Sequence, residues 1–136
     1  MKYKVIAVVV TCNRCELLKL SLNALFASAY NIEKIIVVNN ASEDGTKEYL
    51  DTINNDKLLV IHKEVNEGGA GGFFYGIKEA YFQGCDFVWI MDDDTIITPL
   101  ALNELINSNF QFAELEFKLL ILIFESVNSF AKIGKN

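Results

Sequence analysis

The chain has 136 residues, 51% of them hydrophobic and 12% aromatic, which is enough apolar material for one domain with a real core and excludes a disordered polar chain. Its net charge of −6 argues against a nucleic-acid binder, which carries a basic face. An acidic protein that handles phosphates needs a countercharge, and a bound divalent cation is the usual one.

The N-terminal apolar run is short, has no small-residue cleavage site and is broken by Asn13, Arg14 and Glu16, so it reads as a buried first strand over Val5–Thr11 rather than a signal peptide. Leu17, Leu18, Leu20, Ser21, Leu22, Leu25 and Phe26 then recur at helical spacing. A second buried strand is expected at residues 35–38, followed by the polar turn Asn39-Asn40-Ala41-Ser42-Glu43-Asp44-Gly45-Thr46 and a short helix near 47–53. Residues 58–61 predict a third strand, with His62, the only histidine, as a strand-edge residue rather than a ligand. The stretch 66–72 predicts a glycine-rich loop, residues 73–82 a helix closed by Gly84, and residues 87–91 a fourth strand with Phe87 and Trp89 in the core. Pro99 marks a helix start, with Leu100, Leu102, Leu105 and Ile106 as its apolar face.

Alternating strands and helices predict a three-layer α/β/α domain with a mostly parallel sheet, in which ligands bind at the carboxyl ends of the strands. The polar clusters Thr11–Arg14, Asn39–Asp44, Asn66–Gly72 and Asp92–Asp94 all fall at such ends. The domain is expected over 1–109. Residues 110–136 form an atypical tail: alternating at first, then apolar all round over 118–125, then polar, a helix packed on the domain or an ill-ordered end.

Three adjacent carboxylates at the end of a buried strand repel one another unless a cation is present. Mg²⁺ and Mn²⁺ take oxygen ligands, often one or two carboxylates plus substrate phosphates. Strand alternation would put Asp92 and Asp94 on one side, as metal ligands, with Asp93 facing elsewhere. The bland alternative is a solvated acidic turn ahead of a helix. Gly68, Gly69, Gly71 and Gly72 would let a phosphate or sugar approach the backbone closely. Their spacing matches neither the dinucleotide fingerprint, since Phe74 stands where a glycine is needed, nor the P-loop.

Val8-Val9-Val10-Thr11-Cys12-Asn13-Arg14, then Ile36-Val37-Val38-Asn39-Asn40-Ala41-Ser42-Glu43-Asp44-Gly45-Thr46, then Asn66-Glu67-Gly68-Gly69-Ala70-Gly71-Gly72-Phe73, then Trp89-Ile90-Met91-Asp92-Asp93-Asp94 together resemble a family 2 glycosyltransferase of the nucleotide-diphospho-sugar transferase (GT-A) fold. The glycine cluster with the triple aspartate is most similar to the galactofuranosyl- and rhamnosyltransferase-like branch, over about residues 4–108. The resemblance implies that Thr11 lines the nucleotide pocket and that Asn39 or Asn40 contacts the base; relatives often carry Asp at position 39. It implies that Gly69, Gly71 and Gly72 border the donor sugar and diphosphate, that Asp92 lies near ribose and metal, and that Asp94 is the main metal ligand. Asn13, Arg14, Asp44 and Asp93 complete the expected donor site, with Arg14 a candidate for a phosphate.

The implied reaction is inverting transfer from a UDP- or dTDP-sugar, with Mn²⁺ or Mg²⁺, to a glycan or lipid-linked acceptor, in the cytoplasm or at the inner face of the membrane. The family's general base lies well past the triplet, where this tail does not resemble what normally follows. The expectation is therefore a truncated or frame-disrupted product that binds donor without full transfer. An amphipathic membrane contact over 117–130 has few basic residues to support it.

Two other readings compete. Cys12-Asn13-Arg14-Cys15 is a CxxC at a strand-to-helix junction, as in thiol-disulfide oxidoreductases, but that leaves the triplet and the glycines unexplained. Three cysteines also exclude a four-cysteine zinc site and, without a signal peptide, fit a reducing compartment. An aspartyl-phosphate phosphatase would need a threonine where Ile96 stands.

Overall fold

The computed structural model describes residues 3–108, 120–125 and 129–133. The elements run β1 (Val5–Thr11), α1 (Cys15–Phe26), β2 (Lys34–Asn40), α2 (Thr46–Asp51), β3 (Leu58–Lys63), α3 (Gly68–Phe82), β4 (Phe87–Asp92), α4 (Ala101–Ser108), β5 (Leu120–Glu125) and β6 (Ser129–Ile133). They build one sheet of order β3-β2-β1-β4-β5-β6. Every pairing is parallel except β5 with β6, so the sheet is mostly parallel, as expected.

The two faces follow from the strand period of two. Val5, Ala7 and Val9 of β1, with Ile35, Val37, Trp89 and Met91, pack against Leu18, Leu22 and Leu25 of α1, Leu50 of α2, and Leu102 and Leu105 of α4. Ile6 and Val8, with Ile36, Val38, Val88 and Ile90, pack against α3 through Ala80. Helices α1, α2 and α4 therefore cover one face and α3 the other, which makes the three layers. Trp89 is fully buried, and Phe87 stacks edge-on against Tyr3 at 4.8 Å. Among the described residues no helix is long and apolar enough to cross a membrane.

Several boundaries differ from the sequence expectation. The glycine stretch is largely helix: α3 begins at Gly68, whose φ of +74° turns the chain into it. Tertiary packing overrides glycine's poor helix propensity here. A Cβ on Gly72 would meet Val10 Cγ1 at 2.6 Å, and one on Gly76 would meet Val8 Cγ1 at 2.3 Å. Strand β2 continues through Asn39 and Asn40, because parallel pairing places Asn39 between Thr11 and His62. Helix α4 starts two residues after Pro99; Leu100 is 55% exposed, and Ala101 takes its place on the buried side. In the tail, residues 120–125 and 129–133 are strands that extend the sheet beside β4, where a packed helix was one expectation. The rest of 109–136 lies outside the described residues.

Candidate functional site

Strand order reverses at β1: β2 and β3 lie to one side, and β4 follows on the other after the α3 crossover. The carboxyl ends of β1, β2 and β4 open there into a cleft of about 320 Å³. Val10, Thr11, Cys12 and Arg14 line it from the β1 end, Asn40 from β2, and Asp92 and Asp93 from β4. Asn66, Gly68, Gly69 and Phe73 close the α3 side.

The three aspartates have three environments. β4 ends at Asp92, and the Thr95 N–H donates to the Asp92 carbonyl at 3.1 Å, so Asp93 and Asp94 lie in a turn. Strand alternation therefore stops at Asp92 and cannot pair Asp92 with Asp94. Asp92 is exposed and Asp93 is buried. The Thr11 hydroxyl donates to Asp93 Oδ2 at 2.8 Å, and the Arg14 guanidinium reaches Asp93 Oδ1 at 3.4 Å and Asp94 Oδ2 at 3.9 Å. Burial pushes the Asp93 carboxyl above its ordinary range, as do Asp94 and Asp92, while the Thr11 hydrogen bond and Arg14 pull it back. Asp94 Oδ1 is buried without a hydrogen-bond partner.

Among the described residues no three metal-ligating side chains cluster. A closed protein cage is thus not what these residues offer. Asp92 and Asp94 carry hard carboxylate oxygens, one of them buried and unpartnered, of the kind that could hold a Mg²⁺ or Mn²⁺ ion together with substrate phosphates and water.

The two asparagines at the end of β2 point to opposite faces. Asn40, 2% exposed, donates from Nδ2 to the Gly68 carbonyl at 2.9 Å and keeps its buried Oδ1 unpartnered in the cleft wall. Asn39 lies under α2: its Oδ1 accepts the Ser42 N–H at 3.2 Å, and its Nδ2 faces His62 Nδ1 at 3.1 Å. His62 Nε2 in turn faces Asp51 at 3.0 Å, so the ring links β2 to α2.

Asn13 and Asp44 lace two loops together. The Asn13 N–H donates to Ser42 Oγ at 3.0 Å, and Asn13 Oδ1 accepts the Glu43 N–H at 2.7 Å. Asp44 accepts the Cys15 N–H at 3.0 Å and both the N–H and the hydroxyl of Thr46, so one carboxylate caps α1 and α2. Those bonds hold its carboxyl below the ordinary range, the Thr46 hydroxyl first.

Of the residues expected from the sequence, Thr11, Arg14, Asn40, Gly69, Asp92 and Asp93 come together on the cleft, and Asp94 sits beside it within reach of Arg14. Asn13, Asn39 and Asp44 spend their side chains on the loops behind it. A Cβ on Gly71 would meet Glu67 Cβ at 2.7 Å, and Gly72 packs on Val10, so neither faces the opening as Gly69 does. Val10 and Phe73 were not expected to line the cleft, whereas Cys12, Asn66 and Gly68 lie within the expected clusters without having been singled out as donor-binding residues. Asn66 had a readable signal, as the polar residue ahead of the glycines: its Oδ1 accepts the Gly68 N–H at 2.8 Å, and its Nδ2 points at Cys12 Sγ at 3.4 Å. Cys12 and Cys15 are both free thiols.

Residues 6–109 match the family model described as glycosyl transferase family 2. The chain is 39% identical over 90 residues to galactofuranosyltransferase GlfT1 of Mycolicibacterium smegmatis, which covers 66% of this chain and 30% of that protein. It is 36% identical over 87 residues to poly-beta-1,6-N-acetyl-D-glucosamine synthase of Staphylococcus aureus, covering 62% and 20%. The chain therefore spans less than a third of the length of either relative. Among solved structures, S. aureus TarS in complex with UDP-GlcNAc superposes with a TM-score of 0.70 at 24% identity, over 81% of this chain and 32% of that one. A mannosyltransferase from Pyrobaculum calidifontis in complex with GDP-Man and Mn²⁺ gives 0.65 at 22% identity, over 75% and 31%. Both likenesses show the nucleotide-diphospho-sugar transferase (GT-A) fold. By the match of its sequence motifs across most of its length, this chain belongs to glycosyl transferase family 2.

Proposed function

We propose that this chain forms the donor-binding part of a glycosyltransferase that takes a sugar from a nucleoside diphosphate sugar. The observation that carries the reading is the cleft itself: Asn40 from β2 and Asp92 and Asp93 from β4 line one opening at the reversal of strand order, with Asp94 beside it. Asn40 lines the cleft with its amide oriented by the Nδ2 bond to the Gly68 carbonyl, and a side-chain amide at this strand end suits the polar edge of a base. The donor we propose is a UDP- or dTDP-sugar. The exposed backbone at Gly69 leaves room beside the diphosphate.

Asp92 and Asp94 would hold Mn²⁺ or Mg²⁺. The ion would neutralise charge on the diphosphate leaving group. Asp93 works from within the protein: held by Thr11 and Arg14, it fixes the turn that aims its two neighbours. The acceptor is a hydroxyl of a glycan or lipid-linked glycan. It attacks the anomeric carbon with inversion while a carboxylate base takes its proton. Among the described residues the cleft holds no carboxylate besides Asp92 and Asp93, so no base is assigned. A unit that binds donor without transferring it is the second reading. We place either in the cytoplasm or at the inner face of the membrane. Family membership speaks against the thiol-disulfide reading.

The test is a thermal-shift titration with UDP and dTDP, with and without Mn²⁺, on the chain and on Asp94→Ala. A ligand at a hundredfold excess over its Kd stabilises by about 2.7 kcal/mol. A Mn²⁺-dependent shift that Asp94→Ala abolishes is expected; a cooperative melt unmoved by either nucleotide would overturn the reading. Turnover of a nucleotide sugar onto a glycan acceptor would separate transfer from binding alone.

A further inference from the structure

Arg14 stands at the junction of β1 and α1, with its side chain 54% exposed, and reaches two members of the aspartate triplet. Its 3.4 Å contact to Asp93 is backed by the Thr11 hydrogen bond to the other carboxylate oxygen, whereas its 3.9 Å approach to Asp94 is loose. Asp94 also presents the buried, unpartnered Oδ1. A divalent cation on Asp94 and the guanidinium on the same carboxylate would be like charges a few ångström apart, which raises the free energy of both. The conflict ends when a polyanion lies between them: a guanidinium is a planar fork of donors suited to phosphate oxygens, and Arg14 already lines the cleft.

We propose that Arg14 competes with a divalent cation for Asp94, and so makes cation binding conditional on the nucleotide diphosphate. The cation alone must displace the guanidinium from Asp94 and binds weakly. The diphosphate accepts the guanidinium, and cation and nucleotide then bind cooperatively. The coupling is reciprocal, so each ligand tightens the other by the same factor. In a full enzyme this order keeps cation from occupying the cleft ahead of donor. The inference rests on the donor-site reading above.

The experiment measures Mn²⁺ binding by loss of the free-ion electron spin resonance signal, for the chain, Arg14→Gln and Arg14→Lys, each with and without UDP. Lys19→Gln, which removes a surface charge further along α1, controls for net charge. Arg14→Gln is expected to bind Mn²⁺ alone about tenfold more tightly than the unaltered chain, with the coupling to UDP reduced by a like factor. Arg14→Lys keeps the charge and should keep weak binding of Mn²⁺ alone, while its coupling to UDP falls because the fork is lost. Equal Mn²⁺ affinity in the chain and in Arg14→Gln, with Mn²⁺ and UDP still binding together, overturns the proposal and leaves the donor site standing. So does an equal gain in Lys19→Gln. Failure of the unaltered chain to bind Mn²⁺ with UDP, dTDP or GDP overturns the donor-site reading and this inference with it.

Discussion

The hydroxyl of Thr11 hydrogen-bonds Asp93 at 2.8 Å across 82 positions of sequence, tying the end of β1 to the turn after β4. That bond satisfies a carboxylate only 4% exposed, whose other oxygen has the longer Arg14 contact. Thr11→Val keeps the side-chain shape and removes the donor. It should destabilise the fold by about 1–3 kcal/mol, the cost of leaving a buried acceptor unsatisfied. In an Asp93→Asn background the same change should cost about 1 kcal/mol, since a neutral amide is cheaper to bury. Urea denaturation of the four proteins measures the difference; equal losses in both backgrounds would contradict the pairing.

Glycines of α3 should respond with opposite signs. Gly76→Ala forces a methyl into Val8 and should cost about 1–3 kcal/mol, more than the helix propensity it gains. A Cβ on Gly69 meets nothing within 4 Å, so Gly69→Ala should be neutral or raise stability by about 0.5 kcal/mol. Melting temperatures of the two variants settle the contrast.

Asp44 should set part of the acid stability. Its carboxyl lies below the ordinary range in the folded chain, so it contributes stability above the unfolded pKa of about 3.9 and loses it as pH falls through the lower folded value. Asp44→Ala should cost about 1 kcal/mol at neutral pH through two lost caps. Asp44→Asn should keep about half of that, since its single amide oxygen can accept from Thr46 or from Cys15 but not both, and should flatten the stability profile below about pH 4 because an amide does not titrate. Denaturant midpoints at a series of pH values test both.

At Asn40 a carboxylate is the wrong substitute. Asn40→Asp would set an acceptor against the Gly68 carbonyl that now accepts from Nδ2 at 2.9 Å. The expected loss is about 1–3 kcal/mol in stability, together with weaker UDP binding by calorimetry. Unchanged stability would show that the amide does not hold α3 in place.

Much of the site was legible because it sits where strands end. The run from Val5 to Thr11 and the run from Phe87 to Met91 announce buried strands by composition, and the polar residues that follow must then lie at one edge of the sheet. The roles within that edge were harder to read. Asn39 and Asn40 are neighbours of like chemistry, and only the pleat sends one under α2 and the other into the cleft wall. The glycines at 71 and 72 suggest a ligand loop when read alone, whereas Val10 and Val8 of β1 explain Gly72 and Gly76 as points of close helix approach.

By itself the sequence determined the alternation of strands and helices, the acidic balance, and the family motifs in their order, because hydrophobic period and turn chemistry are local properties. Only the tertiary structure decided which aspartate is buried, which asparagine faces the cleft, and where Arg14 reaches. Those outcomes depend on the register of β1 against β2 and β4, which brings Thr11 and Arg14 to carboxylates 82 and 79 positions away. Contacts of that range are set by packing, and no local pattern encodes them.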